Sequence, residues 1–143
     1  MLYFAHVHSH LIYCLLLYTL ATKTELSKLI KLQKKALRIV YNKKRNYSSS
    51  PLFHDIVTLP IDHLLEKEAV QLLYSVSNFQ EPKSLAHFFS ERYFVHNKNL
   101  RSTLDFDIPF ISSSKLYMHP LYALPRIWNN SKMSCKFNNK RNF

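Results

Sequence analysis

The sequence predicts an all-α fold: a small, incomplete helical bundle with an irregular C-terminal third. Apolar residues recur at helical spacing in residues 22–45 and again in 61–77. Residues 2–21 are the most apolar stretch of the chain, which suits a buried helix. Beyond His96 this periodicity fades, and prolines punctuate the sequence. We therefore expect helices near 3–20, 24–42 and 61–77.

The stretch from Thr22 to Arg45 is the clearest helix. Its apolar residues fall on one arc of a helical wheel, as in a helix that buries one face. This apolar arc comprises Leu26, Leu29, Ile30, Leu32, Ala36, Leu37, Ile39 and Val40, joined by Gln33. Thr22 and Glu25 match a capping box at its start, with Thr24 as a competing cap. Cations follow Val40, where the helix dipole is negative.

Lysines and arginines occupy the opposite arc and the residues after it. Residues 22–45 hold nine bases and one acid, and residues 132–143 hold four bases and no acid, which gives +12. The rest of the chain carries −1, so these two stretches account for the net charge of +11. A basic face of this kind suits phosphate or anionic lipid. The candidate nucleic-acid-binding residues are Lys28, Lys31, Lys34, Lys35, Arg38, Lys43, Lys44 and Arg45. Tyr41 and Tyr47 can stack on bases, and a merely solvated face is an equal alternative.

Residues 2–21 are predicted to be a buried helix rather than a targeting segment. The apolar run from Leu11 to Leu17 is too short to span a bilayer. No Lys or Arg precedes Lys23, so the positive region of a signal peptide is missing. Further along, a short helix is expected from Leu85 to Phe94, and the last dozen residues are expected to be disordered.

No catalytic or metal-binding constellation stands out. His6 and His10 would share a helix face, but no acidic or cysteine partner accompanies them. Asp105 and Asp107 lack the further carboxylates that a two-metal site needs. Two distant cysteines predict neither a disulfide framework nor a zinc knuckle, and a chain without glycine has no Gly-rich phosphate loop. We expect no enzyme activity, no metal, no cofactor and no small-molecule substrate.

Six short motifs follow one another along the chain. They are His8-Ser9-His10-Leu11-Ile12-Tyr13-Cys14, Leu32-Gln33-Lys34-Lys35-Ala36-Leu37-Arg38-Ile39-Val40, Pro51-Leu52-Phe53, Leu59-Pro60-Ile61, Leu100-Arg101-Ser102 and Pro125-Arg126-Ile127-Trp128-Asn129. In this order they resemble the C-terminal, post-palm region of reverse transcriptases from non-LTR retrotransposons (LINE-type, jockey/CR1-like). The second motif, similar to the family's L-Q-K-K-A-x-R-I-I helix, is the most specific. The resemblance covers roughly residues 3–130.

The resemblance extends over a helical post-palm or thumb-side region (1–96) and an irregular segment with the closing W-N motif (97–131), and a basic tail that we expect to be disordered (132–143) replaces the family's next helix. It also implies a role in supporting RNA template and DNA primer while the palm transfers nucleotides.

The chain also departs from the family. Leu-Leu-Leu-Tyr follows Cys14 where the family has Trp-Gly, and Leu124 replaces the glycine of the closing motif. The Y-x-D-D motif of the RNA-directed DNA polymerase palm is absent. We therefore expect a non-catalytic remnant of a transposable element, with the RNA or DNA backbone as its partner and an intracellular rather than secreted location. Oligomeric state is not predicted.

The alternative is that the chain is a small basic secreted or membrane-associated protein. Residues 2–21 would then be a signal or anchor, and the central helix would lie on anionic lipid. Asn46-Tyr47-Ser48 and Asn129-Asn130-Ser131 would be glycosylation acceptors.

Overall fold

A computed structural model describes residues 2–78, 83–90, 106–108, 110–113 and 116–131. Within these ranges the regular structure is helical, with no strand beyond one bridge residue at Phe106, so the all-α prediction is confirmed. No helix in the described part of the chain has the length and apolar character needed to cross a membrane. The tail 132–143 and residues 91–105, which include the end of the helix expected over 85–94, lie outside the described residues.

The chain divides into two compact units, Met1–Lys67 and Glu68–Phe143, with the boundary inside a helix. Unit 1 contains a π-helical segment (Phe4–His8) continuing as α1 (Ser9–Ile12), a 3₁₀ helix (Leu15–Leu20), α2 (Lys23–Val40), α3 (Ser50–Asp55) and the start of α4 (Ile61–Ser77). Unit 2 contains the rest of α4, α5 (Lys83–Ala86), a 3₁₀ helix (Leu116–Met118) and α6 (Pro120–Asn130).

The N-terminal segment is not the single helix predicted over 3–20. It breaks at Tyr13, whose ψ of 121° is extended, and at Cys14, whose φ of 53° is left-handed. Leu11 and Leu15 are buried on either side of the break, and they join Ile61 in one apolar cluster of unit 1. The break therefore lets two short helices turn their leucines toward the same cluster.

Helix α2 begins with the predicted capping box. The Thr22 N–H donates to Glu25 Oε2 (2.8 Å), and the Glu25 N–H donates to Thr22 Oγ1 (3.3 Å). The Thr22 hydroxyl also donates to Glu25 Oε2 (2.9 Å). The Thr22 backbone N–H first and its hydroxyl second stabilise the carboxylate, and they hold the pKa of Glu25 below its usual range. The start of the helix is thus set by the two residues that the sequence indicates.

Helices α2 and α3 both end in a Schellman motif. After α2, the Lys43 N–H donates to Arg38 O (2.7 Å), with Asn42 left-handed at φ 49°. After α3, the Thr58 N–H donates to Phe53 O (3.1 Å), with Val57 at φ 55°. A β-branched residue is uncommon in this conformation, and Val57 adopts it with 90% of its surface exposed.

The buried face of α2 is narrower than the predicted apolar arc. Leu37 is fully buried with Tyr3, Leu52 and Phe53 in the second apolar cluster of unit 1. Leu32 and Ile39, which the arc includes, are instead 61% and 67% exposed. The arc is too broad because the helix buries only the side centred near Leu37, and the apolar residues at its edge face away.

Gln33 is the other buried residue of α2, at 1% exposure. Its Nε2 donates to Tyr3 Oη (2.9 Å) and to Leu59 O (3.1 Å), and its Oε1 accepts the Ile61 N–H (3.0 Å). One amide therefore ties the N-terminal segment, the loop before α4 and the first residue of α4 to α2. Buried polar groups are tolerated when they are hydrogen-bonded in this way.

In unit 2, an aromatic cluster holds the segment around Phe106. The Phe106 ring, at 1% exposure, lies edge-on to Trp128 (5.6 Å between centroids) and to Phe89 (6.3 Å). The Asn129 amide pairs with both backbone groups of Phe106: Nδ2 donates to its O and Oδ1 accepts its N–H, each at 3.0 Å. The side chain of Asn129 thus forms the two backbone hydrogen bonds that a neighbouring strand would form with Phe106.

Helix α6 corrects the prediction of an irregular segment over 97–131. Pro120 occupies the first turn, where a missing N–H costs nothing, and His119 Nδ1 accepts the Leu121 N–H (3.4 Å). Pro125 lies inside the helix and is itself buried with Leu124 and Trp128. The burial of this apolar face outweighs the backbone hydrogen bond that Pro125 cannot form.

Candidate nucleic-acid interface

The eight basic residues that are predicted to bind nucleic acid lie on α2 and on the loop that follows it, which we call the basic loop. Lys28, Lys31 and Lys35 are exposed on the helix, whereas Lys34 and Arg38 are half-buried. The remaining three, Lys43, Lys44 and Arg45, are exposed in the loop. The helix and the loop together therefore form one continuous basic stretch of chain, which we call the basic face.

None of these eight cations forms an ion pair with a carboxylate among the described residues; the ion pair recorded there joins His63 and Glu66. Lys28 helps to lower the pKa of the Glu25 carboxyl, which is itself hydrogen-bonded to Thr22. Cations that form no ion pair can attract anions without first having to break one. The basic face is thus available to an external polyanion.

The end of α2 and the loop are joined through Tyr47. Arg38 Nε donates to Tyr47 O (2.7 Å) across nine residues. Lys43 Nζ lies 5.2 Å from the centroid of the Tyr47 ring, within the range of a cation–π contact. The Schellman motif at Asn42 turns the chain back so that these contacts can form. This part of the basic face is held in a definite arrangement.

Apolar side chains interrupt the basic face. Lys28, Leu32, Lys35 and Ile39 follow one another at helical spacing along one side of α2, and all four are exposed. The predicted clean separation of apolar and basic arcs is therefore wrong on this side. A mixed row of this kind can contact the sugars of a nucleic acid or the acyl boundary of a membrane.

The other sequence candidates do not come together as a site. His6 and His10 are exposed, and Asp105 lies outside the described residues. The Asp107 N–H donates to Ser90 O (2.8 Å), so that residue's backbone joins two segments of unit 2. Within the described ranges, no group of three or more His, Cys, Asp or Glu residues is placed to hold a metal ion.

The two glycosylation sequences differ in their surroundings. Asn46 is exposed in the basic loop, whereas both atoms of the Asn129 amide bond to Phe106. In the folded chain the second sequence is therefore not presented as an acceptor.

Sequence reasoning missed the structural roles of Gln33 and Asn129. The sequence could have indicated the role of Gln33, since it is the one uncharged polar residue within the apolar arc. Nothing in the sequence indicated the role of Asn129 beyond its place in the W-N motif.

Comparisons of the chain with protein-family models, with curated proteins and with solved structures give no match.

Proposed function

We propose that the chain is a non-catalytic segment related to the post-palm region of non-LTR retrotransposon reverse transcriptases, and that it binds RNA or DNA backbones through the basic face. One observation carries the binding proposal: eight cations without carboxylate partners among the described residues lie on a capped helix and its anchored loop. The order of the six motifs supports the ancestry.

Such binding is sequence-independent and depends on salt. Each phosphate that a lysine or arginine neutralises releases condensed counterions, which lowers the affinity as salt rises. With three to five contacts, we expect log affinity for single strands to fall with log salt at a slope of roughly −2 to −4. Fluorescence anisotropy with a labelled oligonucleotide over a salt series measures this slope.

A charge-matched pair of variants tests where the contacts lie. The helix variant changes Lys28, Lys31 and Lys35 to Gln, because these exposed residues form no hydrogen bond or ion pair among the described residues and Gln is also a good helix former. The tail variant changes Lys132, Lys136 and Lys140 to Gln. We expect the helix variant to flatten the single-strand slope by up to about 2, and the tail variant to leave it nearly unchanged. Equal flattening by both variants would show a general polycation and contradict the proposal.

The secreted or membrane-associated alternative is favoured by one observation, the exposure of Leu32 and Ile39 among lysines. A helix that presents such a row can lie on anionic lipid. Flotation with anionic vesicles separates the two functions: wild-type chain that co-floats but shows no salt-dependent binding to oligonucleotides supports the alternative and overturns our proposal.

The ancestry has a separate test in the genomic DNA upstream of Met1. Under our proposal that DNA encodes a polymerase palm, intact or broken, in the same orientation. Unrelated sequence throughout the length of a palm would contradict the ancestry. The binding proposal would not be affected, because the salt series tests it separately.

A further inference from the structure

Three residues are joined at the junction of α2 and the loop that follows it: Arg38, Lys43 and Tyr47, which we call the Tyr47 corner. Arg38 is anchored by its Nε to the Tyr47 carbonyl oxygen (2.7 Å), and the Lys43 ammonium lies over the Tyr47 ring (5.2 Å). Tyr47 is 40% exposed. The corner therefore combines two fixed cations with an accessible aromatic ring.

The anchoring of Arg38 suits it to phosphate. Its Nε is occupied by Tyr47, and the two terminal nitrogens have no hydrogen-bond partner within the described residues. A guanidinium held at Nε presents those nitrogens as a fork of donors that matches two phosphate oxygens. Less rotational freedom is lost on binding, because one end of the group is already fixed.

The ring of Tyr47 suits a nucleic-acid base. An aromatic ring has two faces, and an ammonium over one of them leaves the opposite face for a flat partner. Bases stack on such rings with little regard to sequence. In a duplex the bases are already paired and stacked inside the helix, so they cannot reach a side chain on the protein surface.

We propose that the Tyr47 corner makes the basic face prefer single-stranded nucleic acid, with one unpaired base stacked on Tyr47 and the neighbouring phosphate held by Arg38 and Lys43. This inference rests on the proposed function and adds the strand state of the ligand. The other cations of the basic face contact the backbone of single strands and duplexes alike.

The test compares an oligothymidylate of about 12 nucleotides, within the usual range of single-strand site sizes, with a DNA duplex of the same length. Tyr47→Leu removes the ring but keeps the backbone carbonyl that anchors Arg38, and Tyr47→Phe keeps the ring. We expect Tyr47→Leu to weaken single-strand binding roughly 5- to 150-fold and to change duplex binding less than about twofold. Tyr47→Phe should bind both probes like the wild type.

Tyr13→Leu is the matched control, because Tyr13 is 76% exposed in the N-terminal segment, away in sequence from the basic loop; it should change neither affinity. Circular dichroism checks whether Tyr47→Leu keeps the helix content of the wild type, as we expect. An equal loss on both probes, or no loss on the single strand, overturns the preference while salt-dependent binding upholds the proposed function. A wild-type chain that binds neither probe overturns both.

Discussion

The Gln33→Met variant is expected to lose about 2–5 kcal/mol of unfolding free energy. Methionine keeps the length of the side chain but none of its three hydrogen bonds. The Ile61 N–H would then be buried without an acceptor, at a residue that is 1% exposed, and Tyr3 Oη and Leu59 O would each lose a donor. Urea unfolding followed by circular dichroism measures the loss, and a value under about 0.5 kcal/mol would contradict the role of Gln33.

Gln33→Glu tests the same site by pH. The carboxylate still accepts the Ile61 N–H, but it places a buried negative charge beside Leu59 O. Burial raises the pKa of such a carboxyl above its unfolded value of about 4.3. The loss of stability caused by the buried charge is therefore complete above the folded pKa, and it shrinks as pH falls through that pKa toward about 4.3. Relative to wild type at each pH, the variant should lose less stability at about pH 4.5 than at about pH 7.

The Leu37→Ala variant should lose a similar amount, about 2–5 kcal/mol, because it opens a cavity in a fully buried position. Leu37 belongs to the same cluster as Tyr3, Leu52 and Phe53, so the cavity would be lined by residues from the N-terminal segment and from α3. The free energy of unfolding in urea is again the measurement.

Leu32→Ala is the matched control, since it makes the same chemical change on the same helix at a residue that is 61% exposed. Alanine is the better helix former, and the change should stay within about 0.5 kcal/mol. Equal losses for the two variants would mean that the assignment of the buried side of α2 is wrong.

The sequence was most informative where a local signal and the helical period agreed. Thr22 and Glu25 marked the start of α2, and the predicted range 61–77 coincides with α4. The wheel of α2 could not show which edge of the apolar arc is buried, because partners such as Tyr3 and Ile61 come from distant parts of the chain.

Two elements escaped prediction for physical reasons. The break at Cys14 carries neither glycine nor proline, so nothing local marks its left-handed residue. Helix α6 contains Pro120 and Pro125, which normally indicate loops. Pro120 is tolerated in the first turn, but the packing of Trp128 against Phe106, which supports the helix around Pro125, depends on a distant segment.

The candidate site, too, could be predicted from the sequence only in part. All eight cations could be named from charge pattern and spacing, because long basic side chains stay at the surface. The anchoring of Arg38 to Tyr47 could not, since it depends on the left-handed turn at Asn42.

The absence of glycine acts on both sides of the folding equilibrium. In the part of the chain that the structure describes, Cys14, Asn42 and Val57 have left-handed backbones, and a residue other than glycine in that conformation costs roughly 1–2 kcal/mol. In the unfolded chain, each residue that stands where glycine might have been has fewer backbone conformations, worth about 0.4–1 kcal/mol. At these turns the strain exceeds that gain, so the lower entropy of the denatured ensemble offsets it only in part.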